Sequence, residues 1–172
     1  MAITDILSGT VKAEINIDLA RTGGHGHTGV DKLYETSVLT LTDGDGSNEA
    51  TGFFSEQFAM ATSGGTTISM GEATTPISGG SQNPTEDPDG KDLRAILIEN
   101  LDDAEYITVT TGTNALVGWL TATDEIRIPA GGCLLATFPA DEVTLDATGS
   151  KDEIKITAES GTCETQVSYV FG

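Results

Sequence analysis

The chain's two histidines stand two residues apart in GGHGHTGVD, as His25 and His27, with a carboxylate close behind at Asp31. Two imidazoles and one carboxylate with open positions are the ligands of non-haem iron centres. An H-x-H pair also opens the metal site of cupins, which are jelly rolls. The cupin pattern needs a further histidine from a later segment, and the sequence has none. The glycines around the pair give a backbone too pliant to hold ligands in fixed geometry. A second cluster, DGDGSNE from Asp43 to Glu49, raises the question of calcium. Counted from Asp43 as an EF-hand loop, the sixth position holds Asn48 instead of glycine and the twelfth holds Phe54 instead of glutamate. That leaves a looser oxygen site built from Asp43, Asp45 and Glu49, set against a plain Asx-rich turn. The acidic run Glu86 to Asp92 reads as a solvated loop. The expectation is therefore no metal and no cofactor, with His25, His27, Asp31, Asp43, Asp45 and Glu49 the residues that carry any ligand chemistry at all.

Covalent chemistry fares no better. There is no G-x-S-x-G, no P-loop and no cysteine set in a histidine pattern. With 27 acidic residues, pairs of carboxylates occur at every spacing by chance, so none marks a glycosidase. Trp119, after an apolar run, reads as a core or interface aromatic, with a sugar-stacking platform as the other use of an indole there. Cys133 and Cys163 are too few and too far apart for a disulfide framework or a four-ligand zinc site, and are expected as reduced structural thiols, a bridge between them remaining geometrically open. No catalytic residue emerges, and the chain reads as a protein that binds.

Charge narrows what it binds. Eight basic residues against 27 acidic ones give −19 over 172 residues. Such a surface repels phosphate backbones and anionic lipid, so neither nucleic acid nor membrane is an expected partner. The same self-repulsion favours solubility of crowded identical copies and is relieved by salt or divalent cations. The start, MAITDILSGT, lacks a secretion signal's basic and apolar regions, and no run is long enough to span a bilayer, which points to synthesis in a cytoplasm. The length suits one domain with a substantial core.

Period two dominates the elements. Val11, Ala13, Ile15, Ile17 and Leu19 alternate with Lys12, Glu14, Asn16 and Asp18, the pattern of a strand with one buried face. Similar short runs follow at 34–42, 57–61, 66–70, 93–99, 106–110, 115–120, 125–128, 133–138, 143–146, 153–158 and 165–171, separated by turns such as DGDG, SGGT, PAGG and ESGT. Two connections are longer, RTGGHGHTGVD and the Gly/Pro-rich stretch before residue 93, which reads as a surface excursion. In DEIRIPAGGCLLATFPA a half-buried strand meets a Pro-Ala-Gly-Gly corner and then a strand apolar on both sides. That strand, and Ala95 to Ile98, must lie under another sheet or under a neighbouring subunit. Many short strands with regular turns argue an all-β sandwich or barrel, and the antiparallel β-sandwich is the expected architecture.

The succession LTLTDGDGSNEA, FFSEQFAMA, DLRAILIENLDDAEYITV, EIRIPAGGCLLATFPA and DEIKITAESGTCETQVSYVFG resembles small β-rich virion proteins of tailed bacteriophages, over roughly residues 34–172. The resemblance implies a jelly-roll sandwich at 34–172, preceded at 1–33 by an N-terminal strand or arm with its Gly-His loop. It implies a non-enzymatic capsid decoration or cement protein, and the acidic charge, which would be repelled by packaged DNA, puts it on the outer head surface. It is expected to be made in the host cytoplasm, with the major capsid protein and copies of itself in a homo-oligomer as partners. A tail, neck or fibre component is the alternative, and a metal-dependent jelly-roll enzyme a second one. Val11, Ile15, Ile17 and Trp119 are the expected interface residues. Val11 to Leu19 could complete its own sheet or swing to a neighbour's.

Overall fold

The computed structural model describes residues 9–22, 28–43, 49–62, 65–72, 81–82, 87–116, 118–121, 123–138, 143–146 and 152–172, with backbone and register alone for those between 9 and 40 and for 42, 43, 61, 72, 81 and 82. The strands are β1 (Gly9–Thr22), β2 (Thr28–Asp43), β3 (Glu49–Ala50), β4 (Gly52–Ala61), β5 (Thr66–Ser69), β6 (Ser81–Gln82), β7 (Leu93–Asn100), β8 (Ile107–Thr111), β9 (Ile126–Ile128), β10 (Cys133–Thr137), β11 (Glu153–Ala158) and β12 (Thr162–Phe171). A 3-10 turn, Met70–Glu72, follows β5. The protein is all-β, as the period-two pattern requires.

Two antiparallel sheets enclose the core. One has the order β10-β7-β12-β4-β6 and the other β5-β11-β8-β9. Their facing sides follow from alternation. β12 buries Cys163, Thr165, Val167, Tyr169 and Phe171, β11 buries Ile154, Ile156 and Ala158, and β8 buries Ile107 and Val109. With Ile96, Ile98, Phe54, Met60 and Leu116 these form one continuous cluster. Each fully buried aliphatic side chain contributes roughly 1.5–3 kcal/mol relative to exposure. A β-sandwich is therefore what this sequence builds.

In front of the sandwich stands a long ribbon. β1 and β2 pair antiparallel through fourteen consecutive positions, from Gly9↔Leu41 to Thr22↔Thr28. The described residues of the long connection after the first strand are therefore strand, Arg21 and Thr22 in β1 and Thr28 to Asp31 in β2, and β2 runs unbroken through residues 33 and 34. β3 joins β2 in parallel at Thr42↔Glu49 and Asp43↔Ala50.

Other expectations change with the structure. Ala115 to Leu120 and Val143 to Asp146 are not strands; each keeps one isolated bridge, Ala115↔Glu153 and Thr144↔Asp92, and Leu116, Leu120, Val143 and Leu145 bury themselves from loop backbone. The excursion before β7 is partly anchored. β6 adds to β4 through Phe54↔Gln82 and Ser55↔Ser81, Pro88 is buried, and the Gly90 amide donates to Leu145 O at 2.7 Å. The two-sided apolar strand also differs. Leu134 and Ala136 face the core, but β10 is the edge of its sheet and Leu135 points away from the core, partly exposed. Leu97, opposite it in register, is likewise partly exposed while Ile96 and Ile98 are fully buried. On the outer side Leu97 and Leu135 stay partly exposed, whereas Ala95 is buried.

The two positions should therefore part company. Ile96→Asp places an unpaired charge in the core and should abolish folding, a loss of at least about 4 kcal/mol. Leu135→Asp should keep a cooperative urea transition within about 1 kcal/mol of the parent. Equilibrium urea unfolding followed by circular dichroism checks both.

Candidate functional site

Of the residues with ligand chemistry, Asp31, Asp43 and Glu49 fall among the described residues. His25 and His27 lie outside the described residues, as does Asp45. Asp31 is a ladder residue of the ribbon, opposite Leu19. Asp43 ends β2 opposite Ala50, and Glu49 opposite Thr42 opens β3. Asp87 accepts the Asp89 amide at 3.0 Å, an exposed Asx turn in the acidic run. Among the described residues, no group of three His, Cys, Asp or Glu side chains is placed to hold a metal ion. Trp119 is half buried against the core, its ring edge-on to Phe138 at 5.7 Å between centroids. Its indole belongs to the sandwich at least as much as to any surface. Val11, Ile15 and Ile17 all lie in β1 at alternate positions, opposite Leu39, Glu35 and Leu33.

What the fold does bring together is Arg94, missed in the sequence although it shares the alternation of Ile96 and Ile98. Its side chain is fully buried. Nε donates to Glu49 O at 3.0 Å and Nη2 to Gly172 O at 3.2 Å, with Asp92 Oδ2 at 3.8 Å. Around it Asp92 and Gly172 exchange both backbone hydrogen bonds, at 2.9 and 3.0 Å, and Thr144 Oγ1 donates to Asp92 Oδ1 at 2.8 Å. A buried guanidinium is tolerated only with such partners, and its planar fork reaches several at once. Gly172 is glycine for a steric reason: a Cβ there would lie 2.5 Å from Glu49 O. Leu41, at the ribbon's root, is buried as well. Arg94 thus clamps the root of the ribbon to the ends of β7 and β12.

At the opposite end of β7, Asn100 organises the corner singled out in the sequence. Its amide donates to Glu105 O at 2.8 Å, Pro129 O at 3.1 Å and Ile128 O at 3.3 Å, and its Oδ1 accepts the Asp102 amide at 3.2 Å. Asp102 in turn accepts the Ala104 and Glu105 amides, which hold its carboxyl below the usual carboxylate range. The Gly131 amide donates to Asp102 O at 2.8 Å and Gly132 closes the turn onto Pro129 O at 2.9 Å. Gly131 has φ +65°, a conformation that excludes most side chains. Pro-Ala-Gly-Gly is the corner by which the chain leaves β9 in one sheet and enters β10 in the other.

The core holds polar groups too. Tyr169 stacks on Phe54 at 5.2 Å and donates its hydroxyl to Met70 O at 2.9 Å. Burial first, then the charges of Asp152 and Glu56, pushes its phenol far up. Asp152 accepts the Gly71 amide at 3.2 Å, fixing the turn after β5. Cys163 is buried and Cys133 exposed, both free, with β7 between their strands. Burial, then neighbouring Asp102, raises the Cys163 thiol. No helix of the described residues is long and apolar enough to cross a membrane. In comparisons with known proteins, no family model, no curated protein and no solved structure matches the chain.

Two outcomes follow from these groups. Tyr169 and Cys163 have folded-state pKa values above their unfolded ones. Their contribution is complete below the unfolded values, roughly 8.5 for Cys and 10 for Tyr, and is lost as pH rises beyond them. Stability should fall on the alkaline side, and Tyr169→Phe should flatten that fall while costing about 1 kcal/mol at neutral pH through the lost hydroxyl bond. Urea titrations across pH measure it. A maleimide should label Cys133 in the native protein at once and Cys163 only after unfolding, read by mass spectrometry of the peptides.

Proposed function

We propose that the protein is a non-enzymatic structural component of a virion, a decoration or cement protein on the outside of a tailed-phage head, and that its sandwich is of the jelly-roll type. The strand orders support the jelly roll. Within the eight strands β4, β5 and β7 to β12, the orders β10-β7-β12-β4 and β5-β11-β8-β9 follow from two interlocked Greek keys, with β6 added at one edge. Jelly rolls recur in viral shells, in lectin domains and in cupins. Fold alone does not choose among them.

The observation that carries the choice is the ribbon. Residues 9–43 hold Lys12, Arg21 and Lys32 against Glu14, Asp18, Asp31, Glu35 and Asp43, a net −2, while all other residues together carry −17. The register sets Val11, Ile15, Ile17, Leu33 and Leu39 on one side of the ladder, with Glu35, Asp31 and Arg21 among them. A two-stranded hairpin is marginally stable alone in water, so a long one with an apolar side implies a surface to lie on. An acidic body held out by a near-neutral apolar ribbon suits a protein that coats a shell in many copies: the bodies repel one another and the genome, and the ribbon attaches. The order of segments that resembles phage virion proteins points the same way.

Quantitative mass spectrometry of purified particles should find this chain at a copy number comparable to the major capsid protein. A copy number of a few per particle would transfer it to the tail, neck or fibre, and absence would end the virion reading. Removing residues 1–43 should leave the sandwich folded and abolish retention on particles; full retention would take the attachment role away from the ribbon.

A further inference from the structure

Each of the two sandwich sheets ends in two edge strands, and three of these are short. β6 has two residues, β9 has three with exposed Arg127 at its centre, and β5 has four, three of them Thr or Ser. Short edges and charged side chains are how sheets avoid pairing with other chains. β10 has neither. It spans five residues in unbroken register with β7, and no residue between Arg127 and Asp141 is charged. In a chain of −19, the longest described edge of the sandwich is the apolar one.

The hydrogen bonds show which groups of β10 are open. Asn100 N donates to Gly132 O at 2.9 Å and Phe138 N to Arg94 O at 2.8 Å. Bonded pairs recur at every second residue of an antiparallel ladder, so Leu134 and Ala136 bond to β7 while the N–H and C=O of Cys133, Leu135 and Thr137 point outward. No described strand meets them. A row of alternate donors and acceptors takes extended backbone as its partner. The side chains agree: Leu97 and Leu135 share a row on the outer face and stay partly exposed, and Leu134 and Ala136 on the core side are only half buried.

We propose that β10 pairs antiparallel with β10 of a second copy about a two-fold axis at Leu135, joining two five-stranded sheets into one. Cys133 then bonds to Thr137 of the second copy, Leu135 to its Leu135 and Thr137 to its Cys133, six backbone hydrogen bonds in all. On the outer face Leu97, Leu135 and their counterparts form one unbroken row, and on the core side Leu134 meets the second copy's Ala136, large against small. Charge selects this pairing. Glu99 is the charged residue on the outer side of β7 and β10, in the row of Cys133. The antiparallel two-fold extends that row into Thr137 and Ala95 of the other copy, whereas a parallel alignment would set two glutamates in one row. The acidic bodies are meanwhile held apart. From β12 to its counterpart there are five strand spacings, about 24 Å at ~4.8 Å each, against a Debye length of ~8 Å at physiological salt. A contact five residues long is small beside the roughly 1,200–2,000 Å² of stable complexes, so the dimer is weak and salt-dependent. It stands on sheet order and does not rest on the virion reading.

Sedimentation equilibrium of the purified full-length protein should show monomer and dimer at about 0.15 M salt, and monomer alone at about 0.01 M, where a Debye length of ~30 Å exceeds the spacing of the bodies. Leu135→Pro removes the outward donor at the centre of the edge without touching a bond to β7, and should give a monomer whose circular dichroism is that of the parent. A parent that stays monomeric from micromolar to millimolar concentration at the higher salt, or a dimer that Leu135→Pro retains, overturns the proposal. Should Leu135→Pro fail to fold, disulfides decide. In a Cys133→Ser background, Leu135→Cys brings two thiols together at the axis, within the Cα reach of about 4.4–6.8 Å, whereas Leu97→Cys leaves them three strand spacings apart, about 14 Å. Diamide, taking up the two thiol hydrogens, should link the first protein into a dimer on a non-reducing gel and leave the second unlinked. Equal linking of both, or none in the first, overturns it. So does a monomer whose Leu135→Pro variant is lost from particles, which gives the edge to a shell protein. A dimer formed by a protein absent from particles keeps this interface and ends the virion reading.

Discussion

The burial of one guanidinium governs the arrangement. Arg94 is fully buried at the irregular start of β7, next to the core residue Leu93, and a charge there survives only if the chain brings it acceptors. Those acceptors are backbone oxygens of Glu49 and Gly172, distant in sequence, with Asp92 nearby. The requirement therefore fixes three things together: the start of β7, the end of β12 and the root of the ribbon. An apolar side chain of similar volume could fill the space but could not direct those oxygens, so the cation specifies position where packing alone would leave it open.

Asn100 does the corresponding work at the far end of the same strand, with neutral hydrogen bonds in place of charge. β7 is thus pinned at both ends by side chains that gather loop carbonyls. Between the pins its residues alternate between the closed core and the outer face. This explains how loop segments such as Leu116 to Leu120 and Val143 to Leu145 contribute core side chains without being strands. They are held against an interior already fixed by β7, β11 and β12.

Much of this was legible in the sequence because period two is a local signal. β1, β7, β11 and β12 could be read from alternation, and the Pro-Ala-Gly-Gly corner from its turn chemistry. What was not legible depends on distant partners. Nothing near Tyr34 says that β2 begins at Thr28 and mates with β1 over fourteen pairs. The apolar character of Cys133 to Phe138 suggests two covers, yet whether the second comes from the same chain is a matter of sheet order, and β10 turns out to be an edge. Arg94 was hidden by the same limit: its alternation with Ile96 is visible, but the oxygens that make it tolerable come from Glu49 and Gly172. Of the residues suspected of metal chemistry, Asp31 lies on the ribbon's ladder and Asp43 and Glu49 at strand ends, while His25, His27 and Asp45 lie outside the described residues.

The place of β12 in its sheet has a bearing on how the molecule comes into being. It lies between β7 and β4, pairing with Asn100 to Leu93 on one side and with Ala61 to Gly52 on the other, the latter across more than a hundred residues of chain. Until it inserts, β4 and β7 have no strand between them, and the five-stranded sheet is two separated edges. The ribbon, by contrast, pairs strands only five residues apart in sequence and needs only neighbours. On a ribosome the hairpin can zip early, while the sandwich waits for nearly its whole length to emerge and then assembles in one late, slow step, as high contact order dictates. During that interval the nascent protein is a formed ribbon followed by an unpaired acidic chain, whose mutual repulsion keeps its exposed strands from meeting those of the next polypeptide.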